Sequence, residues 1–551
     1  MGIPGAANPL LLRRAAAVAD DAYQIEKGLR FNSADSANLS RSFSSEGNRY
    51  TWTWSAWVKR NKLGTVQRIY AVHGAANSDN NWFAIAFNAS DQLFLGGYTN
   101  FFRVSNQVFR DPSAWLHLCV SIDLNNSVSA EKYKAWVNGK QITSWGTSNN
   151  NSIGGINAAR THYLGVENGN NYVDLQLGDV QFIDGLSLSP AAFGELSSAG
   201  VFDPKTFALP TPNTDASSPD WSAMCSGTMA NSYYNFDYIF DGSLIEDDGS
   251  DNDTAQPQNS TTATFTKSGD AITANISIEL NIWRNGSSGS GITFKVNDVD
   301  RLSHLVANTG NQTSGGEWYT LKVPGTDENL KTLTKLEWSD GGGYSQRLGA
   351  IRVDGVLLRD NFTDSTTRSN PHNGTKWSDQ VSGSFNGSFT ADNAFDGKVG
   401  GTWCIPANGT DLTWTTSITA NTQIRIWINK NGSGGTLTQN GTDLTSGLTA
   451  GDQWVNLPSK TLTTLVWGSN AAYNQIQLMA VEVDGHILID NSVDNSFHLK
   501  FNDTSTNARL GRNSFNKGIE DSSVNGALPI YNTTAESDEY DQGQTKGSGY
   551  R

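Results

Sequence analysis

Residues Thr51–Arg60 read TWTWSAWVKR. Trp52, Trp54, Ala56 and Val58 fall on one face at a period of two. Thr51, Thr53, Ser55, Lys59 and, out of character, Trp57 fall on the other. That alternation predicts a strand with one face in a core and the other towards solvent or a second sheet. Two indoles on one face bury roughly 150–250 Å² each. The strand therefore anchors a large core, and the chain reads as a β protein.

Composition agrees. The 551 residues hold 55 Gly, 17 Trp, 16 Tyr and 23 Phe, which suits many short strands joined by tight turns and argues against helix bundles. The length is enough for about three or four domains. A net charge of −15 with no basic run speaks against a nucleic-acid groove. Cys119, Cys225 and Cys404 are too few and too far apart for a disulfide framework or a CxxC metal knuckle. No run approaches the roughly 18 apolar residues of a membrane span. At the N-terminus the apolar piece Pro9–Leu12 is short, and Arg13-Arg14 follow it rather than precede it. A secretory signal is therefore not expected.

Taken in order, residues 1–29 read as an N-terminal attachment arm, with Leu10–Lys27 a helix candidate. Residues 30–205 read as one domain, with strands expected at Ile69–Val72, Trp82–Phe87, Gln92–Gly96, Trp115–Asp123, Tyr133–Val137, Thr161–Val166 and Leu175–Ile183. Asn138-Gly139 between KAWV and KQIT is a strong hairpin signal.

The ordered motifs RFNSADSANLSRSF (from Arg30), YTWTWSAWVKR, RDPSAWLHLCVSIDL, YKAWVNGKQI, HYLGV and LGDVQFIDGLSLSPAAFGE closely resemble the concanavalin A-like (LamG-like) jelly roll. They are most similar to the version found in virion and tail proteins of marine and cyanobacterial phages. The resemblance covers residues 30–205. It implies a turn at Asp184-Gly185 and a short helical turn at Pro190–Glu195 that closes the sandwich.

An internal repeat follows, over 221–360 and 377–494. Trp221-Ser222 pairs with Trp377-Ser378, and Phe240-Asp241-Gly242 with Phe395-Asp396-Gly397. Trp283 pairs with Trp427, Trp318 with Trp454, Trp338 with Trp467 and Tyr344 with Tyr473. Val353-Asp354-Gly355 pairs with Val483-Asp484-Gly485. Matched residues draw closer along the chain, so the first copy carries extra length, some of it in the acidic stretch Ser243–Ser260. Each copy is long enough to be a sandwich of its own, and the repeated tryptophans read as core. The FDG…W…VDG pattern resembles discoidin-type jelly rolls. Pro210, Pro212 and Pro371 mark linkers at 206–220 and 361–376. Residues 495–551 open on SFHLKFND, one more alternating strand, and end in a polar tail. The fold class is thus all-β: three jelly-roll or β-sandwich domains in series behind a short arm.

Catalytic patterns are missing. None of the seven histidines stands in an HExxH motif or near a GxSxG elbow, and His117 and His162 read as structural. Enzymes resembling this fold carry a carboxylate pair in an ExDxxE run, which this chain does not have. Asp174 and Asp179 are five apart, so they point to opposite faces of a strand. The chain is accordingly read as not an enzyme. Binding residues are better represented. Tyr98, Phe101 and Arg103 in YTNFFRV, and Asn170 and Tyr172 in NGNNY, supply rings to stack on a sugar and amides or a guanidinium to hydrogen-bond its hydroxyls. The discoidin resemblance implies a calcium ion on Asp396 and Glu482. The first copy has Arg352 in place of that glutamate, which implies an Asp241–Arg352 ion pair there instead.

The family resemblance implies a virion structural protein, namely a tail fibre or appendage. Residues 1–29 would dock to other virion proteins, the chain would form a homo-oligomer (a trimer if a fibre), and the sandwiches would meet host-surface glycan. A capsid-associated or tail-joining protein without glycan binding is the alternative, and a polysaccharide depolymerase the third reading.

Overall fold

The computed structural model describes residues 23–531, apart from 75–80, 98–101, 127, 149–152, 168, 198, 210–219, 231–233, 243, 245–253, 286–291, 309–315, 327, 342–344, 361–367, 472–473, 503–513, 516–522 and 526–527. The chain is nearly all-β and divides into two compact units. One comprises the described residues up to Leu124, then Tyr133–Phe207, and those from Ser492 onward. The other comprises Asn125–Lys132 and Ala208–Asn491.

The first unit is a sandwich of two antiparallel sheets. One runs Lys140–Gln141, Tyr133–Val137, Leu116–Asp123, Thr51–Arg60, Leu175–Asp184, Lys27–Phe31 and Leu528–Tyr531. The other runs Trp145–Ser148, Phe102–Val108, Gln92–Gly96, Trp82–Phe87, Gln67–His73, Thr161–Leu164, Asn38–Ser42 and Ser523–Asn525. Trp52, Trp54, Ala56 and Val58 enter the core between the sheets. Trp52 meets Phe83 edge-on at 5.5 Å, and Trp54 stacks on Tyr70 at 6.0 Å. Asn138 and Gly139 both adopt positive φ (50° and 75°), as a tight hairpin turn requires.

The anchoring strand departs from its expected half-burial, because its second face is covered as well. Thr53 Oγ1 donates to the Leu186 carbonyl at 2.7 Å and accepts from the Leu188 N–H at 2.8 Å. Trp57 stacks on Phe202 at 6.3 Å. The segment after Asp184 thus lies across the strand, which explains why an indole tolerates the outer face.

Segments from before and after the repeats meet on one strand. Lys27–Phe31 pairs with the first half of Leu175–Asp184, and Phe497–Leu499 with the second half. Between them the strand is irregular at Gly178/Gln181, where Asp179 takes φ 50°. Asp179 there accepts from Tyr23 Oη at 2.9 Å and lies 2.5 Å from His498 Nε2. Two expectations are corrected here. The arm read as residues 1–29 overlaps the sandwich, since Leu29 is fully buried in its core and residues 23–26 are not helical; residues 1–22 lie outside the described set. The segment beginning at 495 is not a separate tail element: Phe497, Leu499 and Phe501 complete the first core. The two repeats therefore interrupt the first sandwich in sequence rather than follow it.

The second unit holds both repeats. In the first, one sheet runs Cys225–Ser226, Thr262–Thr266, Lys335–Ser339, Phe294–Val296 and Val299–Asp300. Its mate runs Glu317–Thr320, Ile278–Asn285, Ser345–Val353 and Val356–Leu357. The second copy repeats this order strand for strand: Val381–Gly383, Asp411–Thr419, Thr461–Ala471, Leu437–Gln439 and Thr442–Asp443, then Gly451–Asn456, Ile424–Asn431, Asn474–Val483 and His486–Ile487. In this copy, pairing of Ser469 with Gln475 and of Ala471 with Asn474 joins the two sheets.

The Asp-Gly turns do the same work in both copies. The Asp354 carboxylate accepts the N–H groups of Asn275, Ile276 and Ser277, and the Asp484 carboxylate those of Asn421, Thr422 and Gln423. Trp338 Nε1 donates to the Ala255 carbonyl at 3.2 Å, and Trp467 Nε1 to the Cys404 carbonyl at 3.3 Å. Trp221, Trp338, Trp377 and Trp467 are core. Trp318 and Trp454 instead stand outside those cores. The expected match of Trp283 with Trp427 shifts. Trp427 faces Trp454 across the ladder as Asn281 faces Trp318, so Trp427 corresponds to Asn281. Tyr344 and Tyr473 lie outside the described residues.

Candidate functional site

Strand Thr161–Leu164 of the first sandwich leads into the loop that carries NGNNY. Gly165 opens it with φ 84° and donates its N–H to the Ile69 carbonyl at 2.8 Å. A Cβ there would sit 2.6 Å from the Phe31 ring, so glycine is required twice over. Val166 and Val173 are buried and pin the two ends of the loop. Between them Glu167 and Asn170 exchange backbone hydrogen bonds at 2.9 and 2.8 Å, with Gly169 at φ 81° and Asn171 at φ 56°. This tight reversal leaves Asn170 and Asn171 exposed and Tyr172 half-buried.

Glu167 anchors the loop to the sheet. Its carboxylate accepts from Arg68 Nε at 2.9 Å, from Asn171 Nδ2 at 3.2 Å and from Trp82 Nε1. Arg68 in turn lies over Trp82 and Phe94, 5.1 and 5.0 Å from the ring centroids. Burial lowers the Arg68 pKa, and Glu167 opposes that shift. Trp82, Phe94, Ala71, Ala84 and Ala86 cluster on the face of the sheet turned away from the core, with Val104 against them. The result is a polar rim of Asn170, Asn171 and Tyr172 held on a rigid aromatic and ionic base. Such a rim can hydrogen-bond and stack with a polyhydroxyl ligand. Glu167, held by three donors, anchors the loop to the sheet.

The structure thus brings Asn170 and Tyr172 together. Tyr98 and Phe101 lie outside the described residues. Arg103 is corrected: it is 5% exposed, with its guanidinium 5.3 Å from the Trp145 ring and 5.8 Å from the Tyr133 ring. It is in register with Leu95, a core residue, so it packs on the core side instead of forking towards a sugar. Arg68, Trp82, Glu167 and Asn171 were missed. WFAIAF held a signal, since Trp82, Ala84 and Ala86 share a face on which one large ring stands beside small residues.

The residues proposed as calcium ligands, Glu482 and Asp396, are each paired with basic side chains. Burial would raise the Glu482 carboxyl, but the Arg425 and Arg359 guanidiniums outweigh it and hold the pKa down at about 2. Arg425 Nε and Nη2 sit 2.7 and 2.8 Å from the two carboxylate oxygens, and Arg359 Nη1 3.3 Å from one of them. A divalent cation would meet two positive charges there. Asp396 accepts from the Lys398 N–H and Thr402 Oγ1, both at 2.9 Å, and pairs with Lys398 Nζ at 3.3 Å. Among the described residues, no group of three or more His, Cys, Asp or Glu is arranged to hold a metal. Arg352 pairs with Glu279 and Glu131, not with Asp241.

His117 is fully buried, its Nε2 2.9 Å from Ser55 Oγ, and burial drives its pKa down to about 3. His162 is held at Nε2 by the Asn157 N–H and is likewise pushed to about 3, chiefly by burial. Asp174 accepts from the Ser33 N–H and Oγ at 2.9 and 2.7 Å. Asp174 and Asp179 therefore occupy separate structural settings.

Residues 31–191 match the family model of the concanavalin A-like lectin/glucanases superfamily (Laminin_G_3). Among solved structures, a SAP-like pentraxin of Limulus polyphemus is similar at 17% identity, over 30% of this chain and 80% of that one, with TM-score 0.23. A Trypanosoma rangeli sialidase in complex with the inhibitor DANA is similar at 12% identity, over 31% and 27%, with TM-score 0.24. Tailspike protein 2 of the Escherichia coli O157:H7 bacteriophage CAB120 is similar at 13% identity, over 30% and 23%, with TM-score 0.22. Likeness at that level says nothing of ligand or activity. No curated protein matches the chain in sequence.

Proposed function

We propose that this chain is a non-enzymatic structural protein of a phage particle, a tail fibre or appendage, whose first sandwich contacts host-surface glycan. The observation that carries the glycan reading is the rim of Asn170, Asn171 and Tyr172 fixed by Glu167 to Arg68 and Trp82. Sugars are held at shallow sites of this kind, where an aromatic face and a few oriented amides suffice once the loop is rigid. The lectin/glucanase family match over residues 31–191 supports the same reading. The phage assignment rests on the resemblance of motif order, as do the discoidin likeness of the repeats and trimeric assembly.

The test is titration of the full chain with host envelope polysaccharide, followed by calorimetry. Asn170→Ala combined with Tyr172→Ala is expected to weaken binding by about tenfold or more, since each lost contact is worth about 1 kcal/mol. Binding that is absent in the wild type, or unchanged in the variant, refutes the site. Release of reducing ends during the incubation turns the assignment to a depolymerase. For the particle role, residues 1–22 are the proper deletion, because a cut through 1–29 removes core residue Leu29. Particles that still incorporate the shortened chain exclude the arm.

A further inference from the structure

In each repeat the four-stranded sheet turns one face to the core and the other outward. An ion pair crosses the two central strands on the outward face, at equivalent positions in both copies. The ladders begin at Ile278 opposite Val353 and at Ile424 opposite Val483. One step on, Glu279 stands opposite Arg352 in the first copy, and Arg425 opposite Glu482 in the second. The positions are conserved between copies and the charges are exchanged. Both pairs are forked: Arg352 Nε and Nη2 lie 2.7 and 3.2 Å from Glu279, and Arg425 Nε and Nη2 lie 2.7 and 2.8 Å from Glu482. Each arginine lies 3.8 Å from the ring centroid of an equivalent tryptophan, Trp318 or Trp454.

A third charged group arrives at each pair from elsewhere in the second unit. On the first copy it is Glu131 of the segment Asn125–Lys132, whose carboxylate lies 2.6 Å from Arg352 Nη1, with Val128 packed beside Trp318, Ala350 and Leu357. On the second copy it is Arg359, which follows the last strand of the first copy and lies 3.3 Å from Glu482. Gly242 sits against both guanidiniums; a Cβ there would be 2.6 Å from Arg359 Nε and 2.7 Å from Arg425 Nη1. Glu131, Glu279, Arg352, Arg425 and Glu482 are all nine-tenths or more buried.

We propose that the exchanged pairs act as address labels, so that each outward face accepts one chain segment by the sign of its charge. The first face takes a carboxylate on its arginine, and the second takes a guanidinium on its glutamate. The tryptophan covers occupy equivalent positions, although Trp427 stands beside one of them where Asn281 stands beside the other. Charge separates the two segments, because the wrong segment would place like charges in contact where water is excluded. The exchange thereby fixes which segment seats on which repeat.

The test uses the full chain and hydrogen exchange of residues 125–132. Glu279→Arg with Arg352→Glu keeps the forked pair but reverses its sense, so Glu131 then faces a carboxylate. Exchange in 125–132 is expected to rise about tenfold or more, and adding Glu131→Arg is expected to restore protection. Unchanged exchange in the double variant, or no restoration in the triple variant while Ile278–Asn285 stays protected, overturns the proposal. If the double variant unfolds the repeat, Glu131→Arg alone decides, since Glu131 lies outside the repeat's own strands. Release of 125–132 supports the proposal, and retained protection overturns it.

Discussion

The two repeats have the same strand order, the same Asp-Gly turn and the same buried tryptophan donors, yet their outward faces carry opposite charge patterns. Two glutamates share one arginine in the first copy, and two arginines share one glutamate in the second. What has been held constant is what makes the sandwich, namely the turn carboxylate and the indole in the core. What has changed is a surface that the sandwich does not need for its own closure. Cores tolerate little change in shape, whereas an ion pair can be reversed as a unit without altering the volume it fills.

The sharpest way to break this comparison is at the turns. Asp484→Ala is expected to cost about 4 kcal/mol and Asp354→Ala about 3, since each leaves three backbone N–H groups without an acceptor. Asp484 additionally holds Ser369 through its N–H at 2.8 Å. Thermal unfolding of each variant measures the difference, and equal losses would show that Ser369 and the Thr422 hydroxyl, which also donates to Asp484, add nothing.

Next come the shared charges. Glu482→Gln removes the carboxylate that both guanidiniums share and is expected to cost about 3 kcal/mol. Glu279→Gln leaves Arg352 with Glu131 and is expected to cost about half as much. A larger loss for Glu279→Gln would invert the comparison.

Acid should also weaken the second copy. The folded pKa of Glu482 is depressed to about 2 from 4.5, by Arg425 and Arg359 against burial. That of Asp484 is depressed to about 2 from 3.8, by Ser369 and Thr422 against burial. Stability from a depressed carboxyl is complete above the unfolded value and is lost as pH falls through the folded one. The second copy is therefore expected to weaken between about pH 5 and pH 2, which exchange of Asn474–Val483 followed against pH would show. The smallest effect is expected at the covers, where Trp454→Leu and Trp318→Leu should each cost about 1 kcal/mol through the lost cation–π contact.

Much of the architecture was legible because it rests on local pattern. Trp52 and Trp54 declared a core face by alternation, Asn138-Gly139 declared a hairpin, and the FDG and VDG triplets declared the repeat. What sequence could not give depends on residues distant in the chain. Glu167 finds Arg68 and Trp82 only after the sheet is assembled, and Glu482 finds Arg359 only after one repeat meets the next strand order of the other. Trp283 was matched to Trp427 by spacing to a nearby Asn-Gly, but ladder register, which sequence does not show, assigns Trp427 to Asn281. Asn170 and Tyr172 were proposed from a polar run with one ring, and the structure places them on a tight turn with Asn170 exposed and Tyr172 half-buried. Arg103 misled because a strand residue's facing depends on its register, here with Leu95.

Strand Leu175–Asp184 takes partners from both sides of the repeats in sequence, Lys27–Phe31 and Phe497–Leu499. Translation delivers the first of these before the repeats and the second only after both repeats have emerged. The first sandwich must therefore wait with an open seam, over Tyr70 and Phe182, until Phe497 arrives to close it.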